Sequence, residues 1–163
     1  MTLLLCHSRT IDVGLVVGGL RKPGNVRLFV LLLFMFTMAS SADDKPYVPD
    51  SLPGATVVTA EETIELILTN PDLVVIDARK KTEYMKGHIE GAYNILNTTL
   101  TPADLEAVSP HKTNPLLIYC NGIRCQRSSD AISKAVKWGY SEIFWFRGGW
   151  KEWLEKRLPA VTE

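Results

Sequence analysis

Residues 116–131 read LLIYCNGIRCQRSSDA, and this stretch decides the fold. Leu116–Tyr119 is a four-residue apolar run without alternation, the pattern of a short strand buried on both faces. A helix is predicted from about Gln126 to Trp138, because Ala131, Ile132, Ala135 and Val136 share one face and Gly139 ends the run. Cys120 closes the strand. Asn121, Gly122, Ile123, Arg124 and Cys125 form the tight loop between strand and helix.

The same alternation extends outward. Leu73–Ile76 is a second buried strand, and Ala92–Ile95 and Ile143–Phe146 are further short ones. Thr59-Ala-Glu-Glu62 is a capping box that opens a helix carrying Ile64, Ile67 and Leu68, stopped by Asn70-Pro71. Thr101-Pro102 opens another helix, with Thr as N-cap and Pro at the first helical position. Lys80–Lys86 reads as one or two exposed helical turns ended by Gly87, and Trp150–Lys156 as a last helix. Short apolar strands between helices imply an α/β, doubly wound, mainly parallel sheet with helices on both faces. In such sheets a ligand site lies beyond the carboxyl ends of the strands. That rule points to the segments after Ile76 and after Tyr119.

A loop feeding a helix N-terminus turns its backbone N–H groups inward, and Arg124 and Arg127 add positive charge. These influences favour thiolate over thiol, so Cys120 is expected to have a depressed pKa and to be nucleophilic. The alternative is a small buried residue at a strand end. Asp77-Ala78-Arg79 follows the other central strand, where a carboxylate and a guanidinium can pair or line the same mouth. His88 reads as a hydrogen bonder that organises its loop, and His111 as solvated. Glu83 and Lys86 read as solvated helix surface, and the aromatic residues from Trp138 to Trp153 as core and groove wall.

Composition narrows the function classes. In 163 residues, 18 Lys+Arg balance 18 Asp+Glu, so there is no basic excess to hold a phosphate backbone and no nucleic-acid partner is expected. Apolar residues at 46% suffice for a core. Three cysteines are too few for a disulfide scaffold, and no Cys/His set has zinc spacing, so no metal site is expected. Residues 28–39 read LFVLLLFMFTMA after Arg21, Lys22 and Arg27, and Ala39-Ser-Ser-Ala42 follows. This is the pattern of a cleavable signal peptide cut after Ala42, which implies a periplasmic or secreted protein with no stable membrane span after cleavage. The alternative is an anchor that is never cut, although the run is shorter than the ~20 residues a bilayer needs. Residues 1–20 exceed a signal peptide, so translation is expected to start nearer Leu20. The chain then divides into residues 1–42 (extension and signal), residues 43–55 (a Pro-rich extended lead-in) and residues 56–160 (the domain). Cys6 leaves with the signal, and export allows Cys120 and Cys125 to pair.

Three stretches in order resemble the signatures of rhodanese-like domains: VVIDARKKTEYMKGHIEGAYNI (Val74–Ile95), LLIYCNGIRCQRSSDA (Leu116–Ala131) and GYSEIFWFRGGWKEW (Gly139–Trp153). The resemblance implies a five-stranded doubly wound domain and sulfur transfer. Cys120 would take the outer sulfur of a small anionic donor such as thiosulfate or a polysulfide. Its persulfide would then pass that sulfur to a thiophilic acceptor (cyanide, thiol or sulfite) or to a redox or sulfur-relay partner protein. Amides of residues 121–125 would stabilise the anion, Arg79, Arg124 and Arg127 would attract the donor, and Asp77 and His88 would support the site. No cofactor is implied. One departure stands out: many such loops carry Arg-Ser five and six residues after the cysteine. Here Arg127-Ser128 comes seven and eight residues after Cys120, and Cys125 occupies the fifth place. Three other readings follow from this: a thiol–disulfide redox protein using Cys120 and Cys125, a phosphatase-like enzyme (although residues 121–125 hold no acid), and a non-catalytic binding module.

Overall fold

The computed structural model of the protein describes residues 47–163, and every structural statement below concerns those residues. The expected signal peptide and the start of the lead-in lie outside them.

Five strands form one parallel sheet: β1 (Thr56–Val58), β2 (Val74–Asp77), β3 (Tyr93–Asn94), β4 (Leu116–Tyr119) and β5 (Ile143–Phe146), in the order β1-β5-β4-β2-β3. Four helices connect them, α1 (Ala60–Thr69), α2 (Lys81–Tyr84), α3 (Pro102–Val108) and α4 (Arg127–Lys137), and α5 (Gly149–Glu155) follows the last strand. The capping box at Thr59–Glu62 forms as its sequence predicts, and a second one joins Thr101 to Asp104. In each, the hydroxyl takes an N–H the helix leaves unpaired, and the carboxylate reaches back to the cap.

The strand at Thr56–Val58 lacks any alternating or all-apolar signal. Val57 is exposed, and the segment becomes a strand by lying beside β5, with Val57 opposite Trp145. The expected strand at Ala92–Ile95 shrinks to two residues at the sheet edge, and the helical turn at Lys80–Lys86 shrinks to four.

Central β4 is completely buried, and its side chains alternate between two cores. Leu116, Ile118 and Cys120 face a cluster with Ala131, Ile132 and Ala135 of α4, Leu105 of α3 and Trp145. Leu117 and Tyr119 face the opposite cluster, with Ala60 of α1, Tyr84 of α2, Phe146 and Trp153 of α5. This two-residue period places Cys120 under α4 and Tyr119 under α5.

Candidate active site

β2 and β4 are neighbours, with Asp77 opposite Tyr119, so the segments after them emerge side by side. They do different work. Asp77 and Arg79 form a buried pair: Asp77 is fully buried and Arg79 is 1% exposed. Arg79 Nη2 lies 2.5 Å from Asp77 Oδ2 and donates at 2.7 Å to the Gly87 carbonyl. The guanidinium stacks over Trp150 at 4.5 Å and stands 5.6 Å from the Tyr119 ring. Tyr119 Oη donates at 2.7 Å to Asp77 Oδ2 and accepts from the Ile89 N–H at 3.3 Å. Burial, with the Asp77 charge behind it, pushes the Tyr119 phenol up, so it stays a proton donor. The assignment of Arg79 to donor binding is therefore corrected. Its charge is committed to Asp77, and it ties β2 to the Gly87 turn and α5 instead of opening into a cleft. His88 is buried, stacks on Tyr84 at 3.6 Å and bonds the Tyr84 carbonyl through Nδ1 at 3.0 Å.

The loop after β4 is clamped by backbone. Trp150 N–H donates to the Cys120 carbonyl at 2.8 Å, and Lys151 N–H to the Asn121 carbonyl at 3.1 Å. This approach requires glycine: a Cβ on Gly149, at φ +56°, would stand 2.3 Å from the Cys120 oxygen. On the outer side, Val48 N–H donates to the Ile123 carbonyl at 2.7 Å. Arg147 in turn holds the Val48 and Pro49 carbonyls, so the lead-in buttresses the loop.

Both thiols are free. Cys120 is 1% exposed, and its Sγ–H donates to the Cys125 carbonyl at 3.0 Å. Its Sγ also lies 3.1 Å from Ser128 Oγ, which accepts from Trp145 Nε1 at 3.0 Å. With Trp145 occupying a lone pair, the Ser128 hydroxyl proton is free to point at Cys120 Sγ. Cys125 is half-buried and lines the mouth of a cleft of about 1110 Å³, together with Tyr47, Arg124, Arg127, Lys151 and others.

This geometry reverses the expected electrostatics. Burial pushes the Cys120 thiol up, reinforced by its hydrogen bond to Cys125 and opposed by the Ser128 hydroxyl and N–H. The lowered thiol is Cys125, brought to about 6 first by the neighbouring Cys120 thiol and, against its own burial, by the Arg127 and Asn121 backbone N–H groups and the Arg127 charge. The inward-turned amides do exist. Those of Arg127 and Asn121 favour charge on the thiol five residues into the longer loop, and that of Ser128 on the one at the strand end.

The cleft also enlists residues the sequence reading passed over. Glu83, expected to be solvated helix surface, accepts from Asn121 Nδ2 at 2.7 Å and from Arg127 Nη1 at 2.8 Å. Burial works against the Glu83 charge, but these donors and the Lys80 N–H outweigh it and hold the carboxyl below its usual range. Arg127 is thus aimed by α2, across the sheet from its own helix. Tyr47 carries the Arg124 guanidinium over its ring at 4.7 Å. In one dimension Ser128 is visible only as the second residue of the displaced Arg127-Ser128 pair, and Glu83 only by its place in the first signature. Their roles depend on contacts 8 and 44 residues long.

Comparison with known proteins agrees with this architecture. The model of the rhodanese-like domain matches residues 59–156. The chain belongs to the rhodanese-like domain family. It is 31% identical over 106 residues to the uncharacterized protein YibN of Escherichia coli K12, covering 64% of this chain and 71% of that one. It is 30% identical over 123 residues to the tRNA uridine(34) hydroxylase of an Escherichia coli O127:H6 strain, covering 73% of this chain but only 34% of the hydroxylase. The human single-domain sulfurtransferase TSTD1 superimposes with a TM-score of 0.53 at 26% identity, over 62% of this chain and 96% of that one. The five-stranded parallel sheet expected of a rhodanese-like domain is the one found. Among the described residues no helix is long and apolar enough to cross a membrane.

Proposed function

We propose that this rhodanese-like protein transfers sulfane sulfur from a small anionic donor, thiosulfate or a polysulfide, to a thiophilic acceptor through a persulfide on Cys120. The observation that carries this reading is the pair of free thiols at the carboxyl end of β4, with Cys120 Sγ 3.0 Å from the Cys125 carbonyl, beside a cleft lined by Arg124, Arg127 and Lys151. The three cations draw an anionic donor toward the loop. Cys125, whose thiolate its neighbours favour, accepts the Cys120 proton as Cys120 Sγ bonds to the donor's outer sulfur. The donor's S–S bond breaks, and sulfite (or a shortened polysulfide) leaves with the electron pair. The Ser128 hydroxyl and N–H then face the charge that develops at Cys120. An acceptor thiolate, cyanide or sulfite takes the outer sulfur in a second displacement, which gives ping-pong kinetics. Cys120 is favoured as carrier because it holds the strand-end position of the signature at Leu116–Ala131. The similarity to a single-domain sulfurtransferase supports the same class of chemistry.

The test uses the purified reduced protein with thiosulfate and cyanide, following thiocyanate. Cys120→Ser is expected to fall to background. If Cys120→Ser stays active and peptide mapping finds the extra sulfur on Cys125, the assignment of the carrier is overturned. We also propose that residues 28–42 direct export. An alkaline phosphatase fused after Ala42 should be active in a bacterial host, and an inactive fusion that stays in the cytoplasm rejects export.

A further inference from the structure

Two free thiols on one loop are more than a single-cysteine transfer needs. Cys125 is half-buried, faces the cleft and sits in a turn closed by its own N–H donating to the Gly122 carbonyl at 2.8 Å. Its carbonyl accepts from the Cys120 thiol at 3.0 Å, which puts the two thiol-bearing residues in direct contact. The loop has room for this second thiol because Arg127-Ser128 starts two residues later than in the commoner pattern.

We propose that Cys125 is a second catalytic thiol that resolves the Cys120 persulfide, making the protein a persulfide reductase that releases hydrosulfide and ends as a Cys120–Cys125 disulfide. The inference rests on the sulfur-transfer reading above and adds an outcome to it. The Cys125 thiolate attacks the inner sulfur of the persulfide, which is Cys120 Sγ. A bond forms between the two cysteine sulfurs, and the bond from Cys120 Sγ to the outer sulfur breaks. The outer sulfur leaves with the electron pair and takes a proton as hydrosulfide. The sulfane sulfur gains two electrons, and the two thiols lose two. A dithiol protein, or two equivalents of a small thiol, reduces the disulfide and resets the site. Without such a reductant the protein turns over once. With cyanide present, transfer to cyanide competes with resolution.

Resolution fits the division of labour in the loop. The attacking thiol is the one whose thiolate the Arg127 and Asn121 N–H groups and the Arg127 charge favour. The attacked sulfur lies in a buried pocket where other acceptors arrive slowly and Cys125 is already in place. The Gly122 conformation, φ +141°, keeps the turn tight enough for the two residues to face each other.

The experiment treats the reduced full-length protein anaerobically with one equivalent of thiosulfate, without cyanide or reductant. It reads sulfite, hydrosulfide and intact mass. Wild type is expected to release about one hydrosulfide per chain and to lose about 2 Da, with a Cys120–Cys125 cross-link in the peptide map. Cys125→Ser is expected to release no hydrosulfide and to hold about 32 Da of extra mass on Cys120. Wild type that keeps the 32 Da, releases no hydrosulfide and yields thiocyanate when cyanide is added overturns the inference but leaves sulfur transfer standing. Wild type that neither gains sulfur nor makes thiocyanate overturns both. Should Cys125→Ser fail to fold, the wild-type mass and peptide map decide alone.

Discussion

Replacing Gly149 with alanine tests the clamp between α5 and the loop after β4. Two costs follow from the structure. The backbone at Gly149 has φ +56°, and holding an L side chain there costs about 1–2 kcal/mol. In addition, the new Cβ would meet the Cys120 oxygen at 2.3 Å and the Gly122 nitrogen at 2.9 Å. Both are backbone atoms, so no rotamer relieves the overlap. Overpacking of this kind costs about 1–3 kcal/mol. Gly139 supplies the control: it has φ +92° and nothing within 4 Å of a Cβ, so Gly139→Ala bears the conformational cost alone. At about 4 °C per kcal/mol for a domain of this size, Gly139→Ala should lower Tm by roughly 4–8 °C and Gly149→Ala by roughly 8–20 °C. Thermal unfolding followed by far-UV circular dichroism measures both. Equal shifts in the two variants, or a smaller one for Gly149→Ala, would refute the claim that backbone contact between α5 and the Cys120 carbonyl shapes the loop.

Cys125 should react with iodoacetamide along a curve with a midpoint near pH 6, while Cys120 resists until far higher pH; the reverse order by peptide mapping rejects the assignment of charge. Because thiolate is the reactive form and the Cys125 pKa is lowered, alkylation is expected to be full above pH 7 and lost below pH 5. Arg127→Gln removes a positive charge beside Cys125 and frees Glu83, so the Cys125 midpoint should rise and KM for thiosulfate increase, and an unchanged alkylation curve would sink that role. Asp77→Ala leaves Arg79 charged and buried without its partner, which should destabilise the domain by about 3–5 kcal/mol in urea unfolding. A loss under 1 kcal/mol would mean that water reaches the guanidinium.

Much of the fold is legible in one dimension because its cause is local. Four apolar residues at Leu116–Tyr119 are buried on both faces wherever the strand packs, and the Thr59 and Thr101 boxes close on residues three positions away. β1 was not legible, because Thr56–Val58 becomes a strand only through β5, nearly ninety residues later.

For the site, sequence alone determined the place: a cysteine where a buried strand gives way to a loop and a helix, among positive charges. Tertiary structure decided which sulfur carries the charge. Ionisation of a thiol depends on how much water is removed and where nearby N–H groups point, and neither is set by the residues adjacent in the chain. Burial under α4 pushes the Cys120 thiol up, while the N–H groups of Asn121 and Arg127 and the Arg127 charge favour the Cys125 thiolate, in a loop held by a backbone clamp from α5 and by side-chain bonds to Glu83 on α2.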